Sequence, residues 1–237
     1  QREFEQIFPA DGLVEHRASD IWQSVLQVGR EMVAKAASLG LTITAAGIAN
    51  QRETTLIWDR KTGDVVYNAI VWQDRRTADQ CRHLREAGHE ATITARTGLL
   101  LDPYFSATKI SWILDNVQGA RAKADKGKLR FGTVDTFLLW QLSEGSIFKT
   151  DVTNASRTNI YNIHAKEWDD DLLKIFNVPR SMLPEVHASD ASFGMFERNN
   201  KNLKITGVIG DQQSALVGQR CFEPGEMKAT FGTGCFL

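Results

Sequence analysis

The sequence predicts an α/β fold, and three patterns carry that reading. A mostly apolar run, Ile43 to Ala49, stops abruptly at Asn50-Gln51-Arg52-Glu53, as a buried strand does where it emerges at the edge of a sheet. Before it, Ser19 to Leu39 repeats apolar residues every three or four positions, the period of a helix with one buried face. In the final third, a strand at Leu203 to Ile209, a Gly210-Asp211 turn, a helix at Gln212 to Gln219 and a strand at Met227 to Phe231 follow in order. Strands alternating with helices in this way indicate an α/β domain.

Taken from the start, Ile21, Val25, Val28, Met32, Ala36 and Leu39 form the apolar stripe of the first helix, with Ser19 as its expected N-cap and Gly40 as its stop. After the strand at Ile43 to Ala49, Thr54 to Trp58 and Val65 to Val71 read as two strands reversing around Lys61-Thr62-Gly63-Asp64. Arg75 to Ala87 is expected to be helical and to end at Gly88. Ser106 to Val117 is a strong helix, with Ile110, Ile113, Leu114 and Val117 on one side. Ala120 to Lys126 and Val134 to Leu142 are further helices, and Asn159 to Ile163 is a short strand. Trp168 to Phe176 is helical, with Asp169, Asp170 and Asp171 in its first turn, where the helix dipole favours anions. Pro179 and Pro184 bracket a turn, and the polar, asparagine-rich Glu197 to Leu203 reads as an exposed loop.

At 237 residues the chain is long enough to bury a sizeable core without staples. Its 42% hydrophobic and 24% charged residues are ordinary for a globular protein, and a net charge of −1 gives no electrostatic case for nucleic acid or an anionic membrane surface. Three scattered cysteines, Cys81, Cys221 and Cys235, suggest a reducing compartment rather than a disulfide framework. No apolar run approaches a membrane span, and no secretory leader is read, so a cytoplasmic protein is expected. Residue 1 is Gln, and the chain stops just after Gly232-Thr233-Gly234, so a fragment of a longer protein is expected.

Several clusters can carry chemistry. Arg52 and Glu53, just past a strand end, offer donors and an acceptor at the place where open α/β sheets bind ligands; the plain alternative is a surface ion pair. Asp211 follows a strand and a glycine turn and opens a helix. It reads as an N-cap, as a carboxylate able to accept a proton at the sheet mouth, or as both. Thr230-Phe231-Gly232-Thr233-Gly234 can converge backbone N–H groups on a phosphate or make a hairpin turn, and it is not a P-loop. Trp72, Tyr104 and Phe236 suit either core packing or the apolar edge of a polyol. Asp151, Asn154, Ser156 and Arg157 read as a loop tied by local side-chain bonds. The five histidines show no ligand spacing and there is no HExxH or CxxC, so no protein-built metal site is expected; the G-x-S-x-G elbow of a serine hydrolase is absent too.

Ordered blocks along the whole chain resemble the FGGY carbohydrate kinase family, and within it the members that phosphorylate glycerol. They run from Gln1-Arg2-Glu3-Phe4 through Asn50-Gln51-Arg52-Glu53-Thr54-Thr55, Asn68 to Gln73, Asp102-Pro103-Tyr104-Phe105-Ser106, Gly132 to Thr136 and Thr153 to Arg157. They close with Gly210-Asp211-Gln212-Gln213 and Gly232 to Phe236; Tyr104 to Asn116, with Ser106, Lys109 and Trp112, matches the family's first signature. The resemblance implies an actin-like, ribonuclease H-like ATPase lobe with a mixed sheet flanked by helices. Residues 1–237 would be the substrate-binding N-terminal domain, truncated at both ends, with the ATP-binding C-terminal domain absent.

It further implies that Arg52, Glu53, Tyr104 and Asp211 bind the hydroxyls of glycerol, with Gln212 beside Asp211, while Trp72 and Phe236 pack on its carbon chain. Asp211 would be the general base, and Gly232 and Thr233 would face the phosphates of ATP, with Mg2+ as the accompanying ion. The product would be sn-glycerol 3-phosphate, made by an enzyme expected to be a homo-oligomer when full length. The family's first phosphate loop would precede residue 1, so the segment alone is expected to be inactive. Glu197 to Asn202 lacks the glycines of the loop that binds fructose 1,6-bisphosphate in some members, which puts that regulation in doubt. The alternatives are a kinase of the same family for a pentulose or another polyol, and a catalytically silent ligand-binding lobe.

Overall fold

The computed structural model describes residues 2–198, 201–231 and 235–236; of residues 197, 198, 201, 202 and 236 it describes the backbone alone. In chain order its elements are β1 (Glu15–His16), α1 (Ala18–Ser38), β2 (Ala45–Asn50), β3 (Leu56–Asp59), β4 (Ala69–Ile70), α2 (Ala78–Glu86), α3 (Glu90–Thr97), α4 (Ser106–Asn116), α5 (Ala120–Asp125), β5 (Leu129–Gly132) and α6 (Val134–Leu142). The second half adds β6 (Lys149–Asp151), α7 (Val152–Ala155), β7 (Tyr161–Asn162), β8 (Glu167–Trp168), α8 (Asp170–Ile175), β9 (Glu185–His187), β10 (Gly194–Arg198), β11 (Lys201–Gly210), α9 (Asp211–Gly218), β12 (Thr230–Phe231) and β13 (Cys235–Phe236).

The sheet that positions the site has the order β10-β11-β2 and is mixed. β10 runs antiparallel to β11, while β11 runs parallel to β2 from Lys204↔Ala45 to Gly210↔Asn50. Both parallel strands therefore end at the same level. A ligand-binding edge forms there because helix and loop residues leave the sheet together at the strand carboxyl ends.

β3 explains why its sequence is apolar without interruption. Successive side chains point to opposite faces, and both faces are covered. Ile57 joins a core cluster with Ile110, Ile113, Leu129 and Phe131, whereas Leu56 and Trp58 join Ile21, Phe137 and Leu138 on the other side. Trp58 is fully buried and meets Phe137 edge-on, with ring centroids 5.6 Å apart. Gly132 on β5 faces this cluster. A Cβ there would lie 2.6 Å from Thr136 Cβ and 2.8 Å from Trp58 Cη2, so a glycine is what lets the indole pack this close.

Several expectations need correction. Glu197, Arg198 and Lys201 to Leu203 do not form a loop but pair in the antiparallel ladder of β10 and β11, Glu197 with Asn202 and Arg198 with Lys201. Ile43 to Ala49 is not a buried strand. β2 has one described neighbour, β11, and among its residues Asn50 is buried while the others range from half-buried to exposed. The first helix has Arg17 at its N-cap, because Ser19 lies inside the helix and its hydroxyl turns to Asp20. Its apolar stripe is seated at Ile21 and Val25, while Met32 and Leu39 are exposed. Gly40 does end it, in the left-handed conformation. The reversal at Gly63 exists, but β3 takes its ladder from β5 and meets the returning chain through the bridges Trp58↔Val65 and Thr55↔Ile70.

Gly132→Ala is expected to lower the unfolding free energy by about 1–3 kcal/mol, since overpacking a filled core forces neighbours off their rotamers. Urea unfolding checks this, and an unchanged midpoint would show that Thr136 and Trp58 make room for a methyl group without cost.

Candidate functional site

The parallel register brings two distant residues together. Asn50 and Gly210 are register partners at the strand ends, and Arg52 and Asp211 follow immediately on the two chains. The Arg52 stem lies directly on the backbone of Gly210, where a Cβ would come within 2.5 Å of Arg52 Cδ. The buried guanidinium places Nε 3.3 Å from Asp211 Oδ1 and Nη2 3.6 Å from Glu53 Oε1, and Nη1 donates to Gln213 Oε1 at 3.3 Å. The approach to Asp211 is one of charge and not an aligned bond: Arg52 Nε is buried with no hydrogen-bond acceptor among the described residues. The Asp211 side chain is 48% exposed, so the pair opens to solvent on the carboxylate side.

A polar clip beneath the pair fixes the two strand ends to each other. Asn50 and Asn154 exchange amide hydrogen bonds of 2.9 and 3.1 Å, and Asn154 Nδ2 also donates to Asp151 at 2.8 Å. Asp151 caps α7 and accepts from the Thr153 hydroxyl at 2.6 Å. The same hydroxyl oxygen accepts the backbone N–H of Gly210 at 2.7 Å. One short helix thus holds both β2 and β11. Deeper still, the fully buried Asp135 accepts from Thr133 at 2.5 Å and Thr150 at 2.7 Å, with Asn50 Nδ2 at 3.4 Å. Burial, then the charge of Asp151, push its carboxyl up to about 6, while the two threonine hydroxyls act the other way.

Glu53 is buried and accepts from Arg157 Nε at 2.7 Å. The Arg157 guanidinium lies 4.9 Å over the Phe105 ring and 5.7 Å over Tyr104. Tyr104 in turn packs on Trp72, with centroids 5.4 Å apart and a 55° tilt. Burial, then the charge of Glu53, raise the Tyr104 hydroxyl above its ordinary value, while Arg52 and Arg157 oppose the rise. Trp72, Tyr104, Glu53, Arg52 and Asp211 therefore form one continuous group.

Asp211 is the first residue of α9 and its N-cap is Gly210, so the capping alternative fails in its simple form; the carboxylate instead accepts the backbone N–H of Gln212 at 2.8 Å. Gln212 lies beside Asp211 as expected, but its side chain accepts from Lys228, which also donates to Thr230 at 2.7 Å. Gly232 and Thr233 lie outside the described residues, as does the side chain of Phe236. Arg157 is the site residue that sequence reasoning missed. In the sequence it reads as part of a locally tied loop, and only the local half of that reading holds, since Asp151 does cap its own helix. Among the described residues, no group of three His, Cys, Asp or Glu is placed to hold a metal ion. A cavity of about 540 Å³ lined by Phe4, His16, Ile21, Val25, Asn50 and Gln51 lies beside this group and does not include Arg52, Glu53 or Asp211.

Residues 1–218 match the model of the FGGY family of carbohydrate kinases, N-terminal domain. The chain belongs to the FGGY family of carbohydrate kinases. It is 57% identical over 239 residues to glycerol kinase 1 of Pseudomonas aeruginosa, covering all of this chain and 48% of that protein. Against the glycerol kinase of Rhodospirillum centenum the identity is 56%, with the same coverage. Among solved structures, the Plasmodium falciparum glycerol kinase with ADP superposes with a TM-score of 0.92 at 39% identity, over 98% of this chain and 47% of the other. The xylulose kinase of Rhodospirillum rubrum shares the fold at a TM-score of 0.88 and 18% identity, over 98% of this chain and 47% of the other. The FGGY chain thus has the actin-like fold that its sequence implied, and it spans about half the length of the curated relatives it matches.

Two outcomes are expected in this FGGY lobe. Arg157→Met leaves the buried Glu53 carboxylate without its aligned donor and should destabilise the chain by about 2 kcal/mol or more, read by thermal or urea unfolding; wild-type stability would show that Arg52 alone satisfies Glu53. Asp135 holds its proton more tightly in the native state than its ordinary value of 3.8 would allow. Its contribution to stability is therefore full below about pH 4 and is lost as pH rises through about 6. Asp135→Asn should flatten the difference between unfolding midpoints at pH 4.5 and 7.5, and an identical difference in the variant would exclude Asp135 as its source.

Proposed function

We propose that this chain is the polyol-binding lobe of an enzyme that phosphorylates glycerol with ATP to give sn-glycerol 3-phosphate. The observation that carries the reading is the 3.3 Å approach of Arg52 Nε to Asp211 Oδ1 at the mouth of the mixed sheet, with Glu53 on one side. A triol needs several polar partners and an apolar wall. Arg52 supplies a buried donor free of any aligned acceptor among the described residues, Glu53 and Asp211 supply acceptors, and the Tyr104–Trp72 pair supplies the wall. Sites that hydrogen-bond each hydroxyl of a substrate reject analogues lacking one.

In this mechanism the Asp211 carboxylate accepts the proton of the hydroxyl that is phosphorylated. The freed oxygen attacks the γ-phosphorus of ATP, the bond to the β-phosphate oxygen breaks, and ADP leaves. Arg52 holds Asp211 and the polyol in register, so most of the acceleration comes from positioning and electrostatics. Gly232 and Thr233 are the proposed phosphate loop. Mg2+, held mainly by nucleotide oxygens, would neutralise charge on the phosphates. Nucleotide use is supported by the ADP in the solved Plasmodium falciparum relative. The rest of the nucleotide site belongs to the second lobe in this reading. Free Cys81, Cys221 and Cys235 are in keeping with a cytoplasmic enzyme, and assembly into a homo-oligomer is part of the same proposal.

Asp211→Asn in the full-length protein is expected to lower kcat by about 10²–10⁴-fold while glycerol still binds by calorimetry. Turnover near wild type would remove Asp211 as the base. A higher kcat/KM for xylulose than for glycerol in the unmodified protein would favour the pentulose alternative.

A further inference from the structure

Lys109 is a buried cation that the proposed mechanism does not use. It sits one turn into α4, fully buried, and forms no ion pair within 4 Å among the described residues. Its ammonium donates to the Tyr104 carbonyl at 2.5 Å and reaches the Phe105 carbonyl at 3.5 Å. A cation near a helix N-terminus opposes the dipole, and an unpaired buried ammonium is costly. Packing alone would favour an apolar residue here, so the placement calls for a role.

Side chains on a helix lean toward its N-terminus. Lys109 therefore curls back onto the turn that precedes α4, and the Tyr104 carbonyl it caps lies outside the helical ladder. The same helix also holds the other side of the site: Ser106 Oγ donates to the Glu53 carbonyl at 3.2 Å. We propose that Lys109 is a positioning residue for the polyol site, fixing the Tyr104 turn to α4 so that the Tyr104 ring and Glu53 keep one spacing. This rests on the reading of Tyr104 and Glu53 as polyol contacts given above.

The charges around Lys109 are Glu53, Asp74 and Asp102, with the Cys81 thiol also facing it. Burial pulls the ammonium down to about 7 and these groups oppose the fall. The tether is thus strongest below about pH 7 and weakens above it as the charge is lost.

The test uses the full-length protein, with Lys109→Met and Lys109→Arg. Glycerol phosphorylation by the unmodified protein tests the functional reading itself, and its absence would sink that reading. Given activity, Lys109→Met should raise KM for glycerol about tenfold or more while kcat and KM for ATP stay within about threefold, as expected when a wall of the site is displaced. The unmodified protein should show KM for glycerol rising between pH 6 and 8.5, and Lys109→Arg should abolish that rise. A KM within twofold of wild type in Lys109→Met, or a fall in kcat with KM unchanged, overturns the assignment. If Lys109→Met does not fold, Lys109→Gln decides: a KM for glycerol within twofold of wild type in that variant overturns the assignment.

Discussion

The site depends on the parallel pairing of β2 with β11. Parallel strands need a crossover, so residues near positions 50 and 210 meet only because the intervening chain packs back correctly. The pairing ends at Asn50↔Gly210, and both ends are gripped by α7 through Asn154 and Thr153. A slip of one residue would turn every side chain of a strand to the opposite face. The clip makes such a slip costly, because buried amides and a buried carboxylate would lose their partners. Backbone register and side-chain chemistry therefore specify the same alignment, and the separation of Arg52 from Asp211 follows from it.

Charge is handled differently on the two sides of the site. Around Glu53 it is neutralised by cations: Arg157 bonds Oε1 and lies over aromatic faces, while Arg52 approaches the same oxygen at 3.6 Å. Beneath the strand ends, Asp135 and Asp151 are both buried and have hydroxyl and amide donors instead of cations. Such a network leaves no spare cation to compete with a ligand, and it stays rigid only while each member is satisfied. A third cluster is again neutralised by a cation: Arg76 bridges Glu15 at 2.7 Å and Asp74 at 2.8 Å and lies over the Trp112 ring.

Much of the fold was legible because local and global signals agreed. α4 and α6 match their expected spans closely, α4 through an apolar face of Ile110, Ile113 and Leu114 and α6 through a run of residues that is buried from Val134 to Leu139. The adjoining ends of β10 and β11, at Glu197, Arg198, Lys201 and Asn202, read as a loop because these residues are polar. Their order comes from a backbone ladder that residue polarity does not report. β2 read as buried because its residues are small and apolar, but in the described structure it has one neighbour. The grouping of Arg52, Glu53, Tyr104, Trp72 and Asp211 was reached through the family resemblance, since no local pattern links them. Arg157 was missed because its partner Glu53 lies 104 residues away, and a cation within a polar loop carries no mark of a distant carboxylate.

Gly210 has a consequence for how this lobe can change over evolutionary time. With arginine at position 52, a methyl group at 210 would meet the arginine stem at 2.5 Å, so a side chain there requires that stem to shift. Shortening position 52 removes the nearest contact and leaves Gln213 Oε1, at 3.1 Å, as the next. The two positions are therefore coupled: a side chain at 210 costs less where 52 is already shortened than where the arginine remains.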